Sequence, residues 1–451
     1  MTALTDAIET VTGALPHGIR GRASEVRGLS VLVDELPVPI GSLVSIEAHE
    51  GLRLAEVVGF AGDRSIAMPL GSTAGVRPGD DVWLVRARQR AMVGRGLIGR
   101  VINGLGEPID GGPEIRGLRW ADLNPPPVGA MGRPPVRQAM RTGVRVIDLM
   151  TPMGRGQRLG VFAGAGVGKS TLMAQVAKHS DADVSVIALV GERGREVREF
   201  VEDALGDAGL ARSVVVVATG DESPTMRVRA ARLACTAAEA FRDEGMSVML
   251  MMDSATRFAH AQRQIGLSAG EPPATKGYTP SVFAELARLL ERAGPADDAG
   301  SVTALFTVLV DGDDLTEPIA DAARGILDGH LVLSRKLAQR GHFPAVDVLA
   351  SVSRVADAIS DGHEIASRRQ IARLLGKHAE VEELVQIGAY ASGSDAETDT
   401  AIDFKPAIDA LLTQGSNDRR AYAEDRDLFV KIAVQTGEDI QRRAATRGIG
   451  G

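Results

Sequence analysis

The spacing of apolar positions divides the chain into four stretches. Over residues 1–20, Leu4, Ile8, Val11 and Leu15 recur at helical spacing with Asp6 and Glu9 off the stripe. This predicts a short amphipathic helix ending before Pro16-His17-Gly18, with an apolar face suited to docking or to packing on its own neighbour domain. Over residues 21–95 the apolar runs are short: Leu29 to Val33, Leu43 to Ile46, Ala55 to Val58 and Val82 to Val85, separated by Gly and Pro. Such runs predict a small β-barrel. Residues 96–350 begin with a stiff connector, Asn124-Pro125-Pro126-Pro127 followed by Pro134-Pro135. From there strand-like runs (Leu159 to Ala163, Val184 to Val190, Val214 to Ala218, Val248 to Met252, Val302 to Val310) alternate with helix-like stretches such as Arg195 to Leu205 and Met226 to Arg242. The alternation predicts an α/β domain with a mostly parallel sheet, helices on its faces, and ligands at the carboxyl ends of its strands. Residues 351–451 turn helical, with apolar positions at Ile371, Leu374, Leu375, Ile408, Leu411, Leu412, Leu428, Ile432 and Ile440.

Composition narrows the class. A chain of 451 residues can fill two or three domains. No stretch approaches the length of an apolar membrane span, and the first residues lack the basic patch and apolar core of a secretory signal. The single cysteine, Cys235, lies in an Ala-rich helical stretch and reads as a small core residue; with no internal disulfide available, a reducing cytoplasm is the simplest location. A net charge of −8 argues against a chain that coats nucleic acid.

Chemistry enters at Arg158 to Ala177. An apolar run, Leu159 to Phe162, leads into Ala163-Gly164-Ala165-Gly166-Val167-Gly168-Lys169-Ser170-Thr171, and helical spacing resumes at Leu172 and Val176. This is a strand, a phosphate-binding loop and a helix. Backbone N–H groups can close around a polyphosphate, Lys169 can reach the outer phosphates, and the Ser170 hydroxyl can bind Mg²⁺. Ala163 stands where the strict pattern has glycine. A second apolar strand, Val248 to Met252, ends in Asp253, a carboxylate placed to hold Mg²⁺ through its water shell. The strand that follows the loop ends in Val190-Gly191-Glu192-Arg193. There Glu192 either polarises a water for attack on the γ-phosphate or is an acid favoured by a helix N-terminus.

Eight ordered blocks carry a resemblance. They are Gly99 to Asp110, Phe162 to Thr171, Gly191 to Val197, Asp253 to Arg257, Gly270 to Tyr278, Asp313 to Ile319, Arg324 to His330 and Ser351 to Arg354. From about Leu29 to its C-terminus the chain resembles the ATPases of bacterial type III export, relatives of the catalytic β-subunit of rotary ATP synthases. Ala163 is expected in that branch. The resemblance implies ATP as substrate with Mg²⁺, Glu192 as catalytic base, Arg193 as its neighbour at the phosphates, and Arg354 as an arginine finger given to the adjacent subunit; on sequence alone Arg354 reads as a surface residue. Phe343 falls where relatives place an aromatic beside adenine, with core packing as the alternative. Lys276 stands where many relatives show Arg, in a loop associated with a central pore.

The resemblance implies a homohexamer working at the cytoplasmic face of the inner-membrane export apparatus. Its implied partners are a stator-like regulatory protein at the N-terminus, a central stalk-like protein, export chaperones and their cargo, and the membrane export gate. Flagellar export is the favoured branch, from the Lys276 to Pro280 and Glu291 to Gly294 regions, with virulence-associated secretion as the alternative. An ATP synthase β-subunit is disfavoured because the acidic C-terminal loop of that branch is missing. Glu192 argues against a non-catalytic ring subunit, and the acidic balance without an aromatic RNA-binding signature argues against an RNA translocase.

Overall fold

The computed structural model describes residues 18–296, 300–310 and 314–448. The amphipathic stripe from Leu4 to Leu15 therefore lies outside the described residues.

Six antiparallel strands close the N-terminal barrel: β1 (Arg20–Arg27), β2 (Ser30–Asp34), β3 (Leu43–Ala48), β4 (Gly51–Ala61), β5 (Arg64–Pro69) and β6 (Asp81–Arg86), in the order β1-β2-β5-β4-β3-β6. Alternation drives the closure, because Val31, Val33, Val44, Ile46, Ala55, Val57, Ala67 and Val82 all turn inward and are fully buried. The four expected runs are strands β2, β3, β4 and β6. Strands β1 and β5 were not foreseen. Strand β1 carries Arg20, Arg22 and Arg27 on a largely exposed face and buries only Gly21 and Ala23, so it shows no apolar run.

The central sheet is built from β7 (Arg100–Asn103), β8 (Arg158–Ala163), β9 (Val184–Val190), β10 (Ser213–Ala218), β11 (Ser247–Asp253), β12 (Ser301–Leu309), β13 (Gly329–Leu333) and β14 (Val346–Ser353). Its order is β14-β13-β8-β12-β11-β9-β10-β7, parallel throughout except for β14, with the short segment Gly294–Pro295 antiparallel on β12. Strands β9, β10 and β12 are apolar along almost their whole length because both sheet faces are covered. Helices α1 (Lys169–His179), α2 (Pro224–Arg242) and α3 (Ala255–Ser268) follow β8, β10 and β11. The helix expected over Arg195 to Leu205 is present and changes type along its length, α-helical at Gly194–Glu199 and π-helical at Phe200–Leu205.

Polar contacts tie the barrel to α2. Thr225 Oγ1 donates to the Pro69 carbonyl at 2.7 Å, and the Arg232 guanidinium lies 3.7 Å from the buried Glu56 carboxylate. The C-terminal region is helical as expected: α4 (Gly362–Gln386), α5 (Ala396–Leu412) and α6 (Tyr422–Gly448). Helix α4 starts in a capping box in which Asp361 and Glu364 satisfy each other's backbone N–H. Ile371, Ile408, Leu411, Leu412, Phe429 and Ile432 join the core that runs under α1 and β8. No helix among the described residues is long and apolar enough to cross a membrane.

Candidate active site

Strand β8 is buried from Leu159 to Ala163, which fixes the point where the phosphate loop leaves the sheet. Gly166 and Gly168 adopt φ of 77° and 94°, in the left-handed region where a side chain is strained. Val167 between them is buried and pins the loop, and α1 starts at Lys169, so its unpaired N–H groups and positive dipole end face the loop. Ser170 and Thr171 are exposed in the first turn of α1. Ala163 itself is the last residue of β8 and fully buried, its carbonyl accepting from Val310 N–H at 3.2 Å. Its methyl is packed in the core, which is why glycine is dispensable there.

Three strand ends bring the charged groups together. The Lys169 ammonium donates to Asp253 Oδ1 at 2.5 Å and lies 3.8 Å from Glu192 Oε1. Asp253, the last residue of β11, is 3% exposed, and its Oδ1 also accepts from the Thr307 hydroxyl on β12 at 2.8 Å. Glu192 follows β9; its side chain is 13% exposed and its Oε1 is buried without a hydrogen-bond donor. Burial and the nearby Asp253 carboxylate push the Glu192 carboxyl up to about 7, against the opposing pull of Lys169 and Arg257. A carboxylate that is half-desolvated, undersolvated at one oxygen and poised near neutrality is chemically suited to take a proton.

Arg257 is a residue that sequence reasoning quoted without giving it a role. It sits in the first turn of α3, where the Ser254 hydroxyl caps its N–H at 3.1 Å. Gly191 has φ of 77°, and a Cβ there would come within 2.8 Å of the Arg257 side chain, so glycine lets the guanidinium stem pass beside Glu192. The Arg257 Nε is buried without a partner. Only the fold puts this cation beside that carboxylate.

The other residues singled out in the sequence fall in four separate places. Phe343 is 43% exposed, and its ring edge lies 3.7 Å from where a Cβ on Gly168 would stand, so it flanks the phosphate loop rather than filling the core. Arg193 is 81% exposed and paired with Glu196 at 3.0 Å. Arg354 is exposed and lies at the far end of the sheet. Ser353 pairs with Gly329, the Arg354 N–H donates to the Asp328 carbonyl, and Asp328 N–H donates to the carbonyl of Arg158, the first residue of β8. A six-residue strand spans about 17 Å. Arg354 and the loop of its own chain are therefore separated by the length of β8. Lys276 has φ of 50°, in a loop held where Tyr278 OH meets His260 Nε2 at 3.1 Å and donates to Glu317 at 3.2 Å.

The model of the ATP synthase alpha/beta family nucleotide-binding domain matches residues 143–353, and that of the family's β-barrel domain matches residues 23–83. The T3SS EscN ATPase C-terminal domain matches residues 360–428, which sets the chain apart from the synthase subunits. The flagellum-specific ATP synthase of Bacillus subtilis is 52% identical over 92% of this chain and 95% of its own length. The chain belongs to the flagellar and type III secretion ATPase family. It is thus an ATPase of type III export. A type 3 secretion system ATPase from Xanthomonas euvesicatoria is 46% identical over 95% of the chain and 98% of its own length. The assembled ATPase EscN of enteropathogenic E. coli superposes with a TM-score of 0.83 at 38% identity, covering 92% of this chain and all of EscN; in complex with its central stalk EscO the score is 0.85.

Proposed function

We propose that the chain hydrolyses MgATP as a homohexamer and powers chaperone release and protein export through the flagellar type III apparatus. The observation that carries the catalytic reading is Glu192 Oε1, buried, without a donor, and 3.8 Å from the Lys169 ammonium. In this reading the phosphates lie against the N–H groups of the loop and the start of α1, and Lys169 moves from Asp253 to the outer phosphate oxygens. The donors fit Mg²⁺: the exposed Ser170 hydroxyl would hold the ion and the buried Asp253 carboxylate would hold it through its water shell. When bound, the ion would neutralise negative charge on the phosphates. Glu192 orients a water and accepts its proton as the water oxygen bonds to the γ-phosphorus and the bond to the bridging oxygen breaks, releasing ADP and phosphate. Arg257 adds positive charge beside the same carboxylate. Arg193 reaches the phosphates only by leaving Glu196, and Phe343 stands where it can stack on adenine.

A pH profile follows from the Glu192 environment. A base must be ionised to work, and burial with Asp253 nearby raises this carboxyl to about 7. The kcat/KM for ATP should therefore fall about tenfold per pH unit below about pH 7 and level off above it. Steady-state assays across that range check it, and a profile flat through about pH 6 overturns the assignment.

The ring and its stalk are supported by EscN, whose structures are of the assembled ATPase and of its complex with EscO. The flagellar branch is supported by relatives in Bacillus subtilis and Treponema pallidum at 52% and 50% identity, against 48% for the SPI-2 secretion enzyme of Salmonella typhimurium and 46% for the Xanthomonas one. The docking of a stator-like regulator at the N-terminus, the export gate and a cytoplasmic location at the inner-membrane apparatus belong to the same reading. In a flagellated host, deleting this gene should leave filament protein inside the cell, and a Lys169→Ala copy should not restore export. Normal filaments in the deletion strain would remove the flagellar role.

A further inference from the structure

The turn between α5 and α6, residues 413–421, touches more of the nucleotide site than its distance along the chain suggests. Gln414 at its start is 4% exposed. Its side-chain carbonyl accepts from Arg145 N–H at 2.8 Å, and its amide donates to the carbonyls of Gly143 at 3.0 Å and Asp418 at 2.7 Å. So held, its own backbone N–H donates to the Phe343 carbonyl at 2.8 Å. Next to it, the Gly415 carbonyl accepts from Gln175 Nε2 at 3.0 Å, and Gln175 lies on α1, the helix that begins with Lys169. Thr413 Oγ1 lies 3.4 Å from His342 Nδ1. Gln414 thus fastens the end of the C-terminal helix α5 to the segment that leads into β8 through its buried side-chain amide, and to the segment that carries Phe343 through its backbone N–H.

An aromatic ring is placed by its backbone. Phe343 is half exposed at the loop, so packing alone does not fix it, and the hydrogen bond to its carbonyl ties its own main chain to the C-terminal region, beside the His342 contacts with Thr413 and Asp409. A buried glutamine whose carbonyl and both amide protons are engaged holds one geometry, since breaking any one bond strands a desolvated polar group. We propose that Gln414 is a positioning residue that sets the Phe343 ring beside the phosphate loop, and that it thereby governs affinity for the base of the nucleotide and not for its phosphates. The proposal rests on the reading that Phe343 faces adenine. Its consequence is that the position of the C-terminal helices is felt at the base end of the site.

The test uses the full chain and two ligands, a non-hydrolysable ATP analogue and inorganic tripolyphosphate, which offers the phosphates without a base. Gln414→Ala should weaken the analogue by about three- to tenfold, the cost of a ring no longer pre-organised, and leave tripolyphosphate within about twofold. In turnover the loss should appear as a raised KM for ATP with kcat retained. Phe343→Ala should lose affinity for the analogue by about tenfold, as expected for one base–aromatic stack, and adding Gln414→Ala to it should cost nothing more. If Gln414→Ala does not fold, Gln414→Asn carries the test: it keeps the amide, withdraws it by one carbon, and should shift the same ratio in the same direction by less. Equal weakening of both ligands by a Gln414 variant would make the residue merely structural and overturn the proposal. A base-specific loss in Phe343→Ala with none in a folded Gln414 variant would also overturn it, leaving the adenine reading intact. An unchanged affinity in Phe343→Ala would overturn the adenine reading, and the proposal with it.

Discussion

Glu192→Gln should bind ATP at least as tightly as the parent and lose turnover on the order of 10³-fold, the middle of the range for a positioned general base. The side chain is isosteric, so the loop, Lys169 and Asp253 keep their places. Removing a carboxylate 3.8 Å from the Lys169 ammonium also removes a negative charge that the incoming phosphates must face. Lys169→Ala is the contrast, since it leaves Asp253 and Glu192 without their shared cation and should lower affinity and turnover together. Equilibrium binding of a fluorescent ATP analogue, measured beside single-turnover hydrolysis, separates the two. Glu192→Gln protein that turns over near the parental rate would remove the base from the mechanism.

Arg354→Ala should cost a similar factor, on the order of 10³ in kcat, as for a guanidinium that meets charge developing on the γ-phosphoryl oxygens. Because Arg354 is exposed at the end of an edge strand, the substitution should leave the melting temperature and nucleotide affinity near parental values. The separation of Arg354 from its own loop makes a sharper test available. Arg354→Ala subunits retain Lys169 and Glu192, while Lys169→Ala subunits retain the arginine, so mixing two inactive proteins should restore activity. Random pairing gives an intact site at about a quarter of interfaces. Turnover per subunit should also rise with protein concentration as assembly proceeds. A mixture that stays inactive while its subunits demonstrably exchange, or an active Arg354→Ala homomer, would return Arg354 to the status of a surface residue.

The residues legible in the sequence are those whose signal is local. The phosphate loop is readable because left-handed backbone at Gly166 and Gly168 demands glycine and the flanking periods change from strand to helix. Asp253 and Glu192 are readable because each ends or directly follows an apolar run, and parallel strands deliver such ends to one edge. Strand β1 escaped notice because its arginines hide the alternation. Arg257 escaped because its value lies in passing Gly191, a contact between a helix and a loop 66 positions apart that no spacing rule encodes. Arg193 stands next to Glu192 in sequence, yet its side chain follows Glu196 one helical turn on. Gln414 carries no motif, and its importance appears only when three distant backbone segments meet around it.

Strand β8 has a second use beyond launching the phosphate loop. Its first residue, Arg158, is fastened to Asp328 by hydrogen bonds from Nε and from its own N–H, and Asp328 anchors the main chain of Arg354. The strand is buried and flanked on both sides, so it moves as a rod. In a ring built on this contact, the receiving end of each subunit and its giving end are two ends of that rod. On the proposed reading of Arg354 as an arginine given to the neighbour, a displacement of β8 at its loop end would be met at its other end by the Arg158–Asp328 pair that holds the main chain of that arginine.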